Sequence, residues 1–333
     1  MPRLSPRLMS FIVVLVCVIA LVPSLANAAT LAPFQILTRT RNPIVWQGFG
    51  TCLMMTEDMP NGRICYYYDY KTRARMDVKA AMAGNWVPLG SAIKWLMYVG
   101  SYQARDRLMA HDVDHNIYSI AKFSPQNQVG CGFAGTDCFF GEYRAKRVAD
   151  HYPVDLYKIH LYGGGGWEPV CISDSEKSQF AHDGNLLVYA AHYSFLDNRI
   201  MGLYFAGGPE FTIIRRAAKY PTVCGSLVAW VEKNGLGFNI VAMDISTGEV
   251  RTVGYTKANP PCAQAGRGAI FWEDARNVST GLDIYGYDWA TGKEFCVTKM
   301  AGAQVRLRVC DDLVTYVSGP KNYEILWGAK IVD

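Results

Sequence analysis

Charge is scarce in this chain. Only 19% of its 333 residues are charged, with 33 Lys and Arg against 29 Asp and Glu. The net charge is +4 and no strongly basic stripe stands out, which argues against a dedicated nucleic-acid binder. Histidine is rarer still, at six residues: His111, His115, His151, His160, His182 and His192. They form no complete zinc-type motif, and no Cys-x-x-Cys pair is present. No Gly-x-Ser-x-Gly elbow occurs, so serine hydrolysis has no signature. The four glycines Gly163–Gly166 run into Trp167-Glu-Pro rather than the Lys-Ser/Thr helix start that a phosphate loop needs. They read as a hairpin turn.

Apolar and aromatic residues are plentiful. Half the chain is hydrophobic, which excludes a disordered protein. With 31 Gly, 20 Tyr, 14 Phe and 8 Trp, the composition favours short strands and tight turns over helices.

The first 28 residues read as a secretory signal. Arg3 and Arg7 precede the apolar run Phe11–Val22, Pro23 and Ser24 break it, and Ala26-Asn27-Ala28 is a small-x-small cleavage site. The run of 12 is short for a bilayer, which takes about 20. No later stretch is apolar enough to span one, so no transmembrane segment is expected after signal removal. A periplasmic or secreted protein is expected, with residues 29–333 as a single domain. Export makes disulfides plausible. Nine cysteines remain after cleavage, an odd number: 52, 65, 131, 138, 171, 224, 262, 296 and 310. Cys52 and Cys65 are candidates to face one another. Cys131 and Cys138 flank one strand, and two of Cys224, Cys262 and Cys310 are candidates to bridge.

A repeat runs through the mature chain. Gly268-Ala-Ile-Phe-Trp272 is followed by Asp283-Ile-Tyr-Gly-Tyr-Asp288 and Thr291-Gly292. Gly225-Ser-Leu-Val-Ala-Trp230, Asn239-Ile-Val-Ala-Met-Asp244 and Thr247-Gly248 repeat the pattern. Each reads as a first strand ending on Trp, a polar turn, a second strand, a Thr-Gly turn and a third. The first-strand marker recurs at Met55, Trp95, Phe140, Tyr189, Trp230, Trp272 and Tyr316. Turn-entry residues keep step at Asp69, Asp112, His160, Tyr204, Asp244 and Asp288. A period of about 40–45 residues with strand-turn-strand content predicts an all-β, seven-bladed β-propeller. The last unit lacks a fourth strand. Residues 33–40 resemble that strand, since Pro33-Phe-Gln matches Glu294-Phe-Cys, and are predicted to close the ring in the last blade.

Two segments resemble the repeat of TolB-type propellers and related secreted propeller-repeat proteins. Ala181-His-Asp-Gly-Asn-Leu-Leu-Val-Tyr189 resembles their Pro-Asp-Gly-led strand, with His182 in place of Pro. Trp272-Glu-Asp274-Ala-Arg276 through Thr291-Gly292 resembles Trp-x-Asp-x-Arg … Asp-Ile-Tyr-x-Tyr-Asp … Thr-Gly. The resemblance is to the repeat over residues 33–333, and it implies the fold rather than a function.

Loops leading into the inner strands are expected to cluster at one mouth of the channel. Trp46, Trp86 and Phe180 stand nine residues before a marker, with Tyr220 one place off. With Arg215, Arg216, Arg306 and Arg308 they form a candidate binding face for a peptide or sugar. The same aromatics also suit packing between blades. Asp112, Asp114 and Asn116 resemble the start of a calcium loop, but Ile117 and Phe123 replace its Gly and Glu, and the ordinary turn reading is preferred. Asp274 and Arg276 are read as a structural pair. Glu57, Asp58, Glu142 and Glu273 are further carboxylates that could line a channel. No catalytic residue, metal ligand or cofactor is assigned. The expected function is a non-enzymatic, TolB-like scaffold for a protein or polysaccharide partner. A carbohydrate-active lyase or glycosidase is the alternative.

Overall fold

The computed structural model describes residues 31–331, apart from short stretches of which the longest are 78–85, 120–127, 144–153 and 161–169. For the strands between 86 and 138 only the backbone is described. Among the described residues there is no helix. The strands form seven antiparallel four-stranded sheets, over 44–77, 86–119, 128–173, 177–215, 218–256, 263–296 and, last, 305–330 joined by 33–40. Six of them are laid down in simple sequence order, each strand pairing with the next. This is the up-and-down blade of a β-propeller.

The seventh sheet is built from both ends of the chain. Pro33–Thr40 pairs antiparallel with Glu324–Lys330 and supplies its outer strand. Phe34 stands opposite Gly328, as Phe295 stands opposite Gly286 in the sixth sheet and Phe211 opposite Gly202 in the fourth. In each case the phenyl ring occupies the space a glycine Cβ would take, at 2.9, 2.4 and 2.5 Å from that point.

Alternation along a strand feeds two interfaces at once. Val228 and Trp230 pack with the fourth sheet, against Leu186, Val188 and Ile200. Leu227, Ala229 and Val231, on the same strand, pack with Ile270 and Trp272 of the sixth. Ala269 and Phe271 face the seventh sheet, through Val314 and Tyr316. Leu313, Val317 and Leu326 of the seventh pack with Val45, Leu53 and Met55 of the first. Met55, Phe140, Tyr189, Trp230, Trp272 and Tyr316 are all fully buried. Trp95 has only its backbone described.

The turns follow from side-chain chemistry. Asp288 Oδ1 accepts the N–H groups of Ala290 (2.9 Å) and Thr291 (3.0 Å), and Gly292 follows with φ 68°. Asp69 and Asp244 make the same kind of turn. Asp183 adds a link between sheets. Its Oδ1 accepts from Asn185 and Leu186, while Oδ2 accepts from Gly225 N–H at 2.8 Å.

Two expectations need correction. The marker residues lie on the second strand of each sheet, because an innermost strand precedes them, such as Lys177–His182 or Ala218–Cys224. Trp46, Trp86, Phe180 and Tyr220 are therefore on innermost strands, not in loops before them. No disulfide joins Cys65, Cys224, Cys262, Cys296 or Cys310. The register sets Cys65 opposite Thr56 and Cys52 opposite Asp69, so the expected Cys52–Cys65 facing pair is absent. Burial pushes the thiols of Cys65 and Cys262 up to about 12, which keeps them inert. The side chains of Cys131, Cys138 and Cys171 lie outside the described residues.

The matching Phe-on-Gly contacts predict matching mutants. Gly328→Ala and Gly286→Ala should each destabilise the fold by about 1–3 kcal/mol through overpacking. Denaturant unfolding should show a lower midpoint with an unchanged slope.

Candidate functional site

Antiparallel order places the starts of the innermost strands at the same end as the hairpins joining second and third strands. Six innermost strands carry a register skip at that end or along their length. Examples are Val45/Gln47, Ser178/Ala181, Lys219/Thr222 and Val305/Arg308. A skip leaves extra residues out of the ladder and re-aims the chain. In three sheets the extra residue is left-handed: Gln179 (φ 55°), Tyr220 (φ 53°) and Arg306 (φ 59°). All three stand ten positions before a marker, Tyr189, Trp230 or Tyr316. Left-handed backbone costs a non-glycine residue roughly 1–2 kcal/mol, so its repetition at one place in the repeat makes these positions candidates for a site.

The candidate residues fall into separate groups. Tyr220 is 40% exposed, and its N–H donates to Gln179 Oε1 of the neighbouring sheet at 2.8 Å. Phe180 is half-buried, with its ring 5.8 Å from that of Tyr189. Trp46 is the residue skipped between Val45 and Gln47, and Trp86 opens its strand opposite Gly100. Their side chains lie outside the described residues. Arg215 ends the outermost strand of the fourth sheet, away from Tyr220 on the innermost strand of the next. Arg216 follows and pairs with Glu232 at 3.3 Å.

Arg306 belongs to a second group, at the seam between the seventh sheet and the first, whereas Arg308 lies near Glu273 and Cys262 on the side of the sixth sheet. Arg306 Nη1 donates to Glu324 Oε1 at 3.3 Å and to the carbonyl of Pro43 at 3.4 Å. Glu324 is buried and also accepts the Asn42 N–H. Asn42 Nδ2 donates to Asp58 Oδ2 and Arg63 Nε to Asp58 Oδ1, both at 2.8 Å. The Arg63 hydrogen bond is the main reason the Asp58 carboxyl sits below its ordinary range. A cleft of about 420 Å³ opens beside Glu324, lined also by Gly302, Val305, Val317 and Ser318.

Glu273 ties the sixth sheet to the seventh. Its buried carboxylate accepts the N–H of Leu307, in the skip of the next innermost strand, at 2.9 Å. Burial raises its pKa, partly offset by the N–H groups of Leu307 and Arg306 and by the charge of Arg308. Asp274 and Arg276 form the structural pair read from the sequence, at 2.6 Å, and Asp274 also accepts from Trp272 Nε1. Gln179, Asn42 and Glu324 are the members that sequence reading missed. The fixed offset of ten from the marker was the signal that would have found Gln179.

Among the described residues no three His, Cys, Asp or Glu side chains converge as metal ligands would. The segments 113–116 and Gly163–Gly166 lie outside the described residues, as do the side chains of His111 and Asp112. Of the expected aromatic face, Tyr220 is exposed and Phe180 is half-buried among the described side chains.

No protein-family model and no curated protein matches the chain. Solved structures do. An oligogalacturonate lyase in complex with manganese superposes with a TM-score of 0.63 at 13% identity, over 92% of this chain and 95% of that one. Oligogalacturonate lyase from Vibrio parahaemolyticus gives 0.62 at 14% identity, over the same shares. TolB from Acinetobacter baumannii is also similar, at 0.48 and 11% identity, over 63% of this chain and 53% of that one. At these identities the likeness to the two lyases shows the fold alone.

Two predictions test the site. Tyr220→Gly keeps the N–H to Gln179 and removes the left-handed penalty, so stability should rise by about 1 kcal/mol. A higher unfolding midpoint checks this. Glu273 has a raised folded pKa, so its contribution is full below the ordinary value of 4.5 and is lost as pH rises through the folded value. Glu273→Gln should flatten that part of the curve of stability against pH.

Proposed function

We propose that the chain is an exported, non-enzymatic scaffold that holds a protein or envelope polymer at the bulged end of a closed seven-bladed ring. The observation that carries this is the left-handed residue at one repeat position in three innermost strands, where Gln179, Tyr220 and Arg306 stand. Strain kept at a matching place in separate blades supports a binding face. Closure by residues 33–40 is supported by their pairing with Glu324–Lys330 and by the shared core of the seventh and first sheets. The innermost strands also touch in series, with Val305–Cys310 against Ile44–Phe49. Residues 1–28 are the export signal in this reading. No helix of the described residues is long and apolar enough to cross a membrane. Tyr220, Arg306 and Arg308 are the proposed contact residues, with Trp46, Trp86 and Phe180 on other innermost strands, while Arg215 and Arg216 fall outside this face.

A second reading, a lyase or glycosidase, is favoured by the likeness to oligogalacturonate lyases over 92% of the chain. The two separate under assay. A photo-crosslinking residue at Tyr220 should capture an envelope component in cells, while one at Thr247, on the opposite turn, should not. The purified protein should leave oligogalacturonate intact. Turnover of that substrate, abolished by substitution of Glu273 or Glu324, would replace the scaffold with the enzyme.

A further inference from the structure

Hairpin tips are usually polar, yet Met59, Leu236 and Tyr323 at the bulged end are 42%, 90% and 67% exposed. Leu236 is the extreme case. It belongs to the two-residue loop Gly235-Leu236, closed by the pair Asn234 and Gly237. Gly235, at φ 55°, supplies the backbone a type II′ turn requires. That turn makes no demand for an apolar residue at position 236. Tyr255 lies beside it, 38% exposed, over Gly237, where a Cβ would come within 2.4 Å of its hydroxyl.

Cations surround this corner. Lys233 and Lys257 are exposed. Lys233 stands opposite Phe238, and Phe238 opposite Thr256, so the backbones at Lys233 and Thr256, the neighbour of Lys257, lie about 10 Å apart across the hairpin. Arg215 reaches the same end from the fourth sheet. The nearby acids are bound inward. Glu232 accepts from Trp230 Nε1 at 2.7 Å and pairs with Arg216, and Asp274 is held by Trp272 and Arg276. Arg215, Lys233 and Lys257 have no carboxylate partner among the described residues.

We propose that this corner of the fifth sheet docks on an anionic lipid surface. Leu236 and Tyr255 enter the headgroup layer, and Arg215, Lys233 and Lys257 face the phosphates. A hydrated polyanion would use the cations but has no use for an exposed Leu at the tip. An apolar tip between cations matches the membrane interface, apolar below and negative at the surface. Leu236 joins the second and third strands, outward of Tyr220 on the innermost one. Docking therefore goes beyond the ligand-binding proposal and stands without it.

Sedimentation of the mature chain with vesicles tests this. Binding is expected to phosphatidylcholine mixed with phosphatidylglycerol, and not to phosphatidylcholine alone. Lys233→Gln and Lys257→Gln should each weaken it about five-fold. Leu236→Ser, at an exposed position that leaves the fold intact, should weaken it roughly ten-fold with every charge kept. Absence of binding to the mixed vesicles overturns the proposal. So does binding that polygalacturonate displaces and Leu236→Ser leaves unchanged, which would make the corner a polyanion site.

Discussion

The fifth, sixth and seventh sheets are apolar on both faces, and that constraint governs how the sheets assemble. The strand Leu227–Asn234 sends Val228 and Trp230 to one neighbour and Ala229 and Val231 to the other. A lone sheet of this kind would leave two oily faces in water. Arranging such sheets around an axis covers both faces of each, but only if the last meets the first. The core shared by Leu313, Val317, Leu53 and Met55 is where that meeting occurs. The outer strand at 33–40 adds to it, because its hydrogen-bonded ladder with Glu324–Lys330 joins the two ends of the chain in one sheet.

Much of this was legible in the sequence. The period could be read because the marker residues fill the tightest space between sheets, where size and apolarity are least negotiable. The Asp and Thr-Gly turns could be read because short side chains and positive φ leave few choices. The match between Phe34 and Phe295 held for a similar reason, since both rings sit on a glycine of the third strand.

The innermost strands were not legible as strands. Lys177-Ser-Gln-Phe-Ala-His182 and Ala218-Lys-Tyr-Pro-Thr-Val-Cys224 have extra residues that break the alternation of two. The reading therefore began each sheet one strand late. The site suffered most from this, because Gln179, Tyr220 and Arg306 owe their positions to those skips. The seam network of Arg306, Glu324 and Asn42 joins residues more than 260 positions apart, and no local pattern records it. Cysteine pairing failed as a guide because nearness in sequence says nothing about register. Cys65 meets Thr56, not Cys52.

Closure by the N-terminal strand is the claim on which the ring, its channel and the binding face all rest. Amide hydrogen exchange at residues 33–40 measures it directly. The account predicts that these amides, where they face Glu324–Lys330, are protected as strongly as those of Leu313–Ser318 and open together with them. Rapid exchange at 33–40 beside a fully protected Leu313–Ser318 would contradict it.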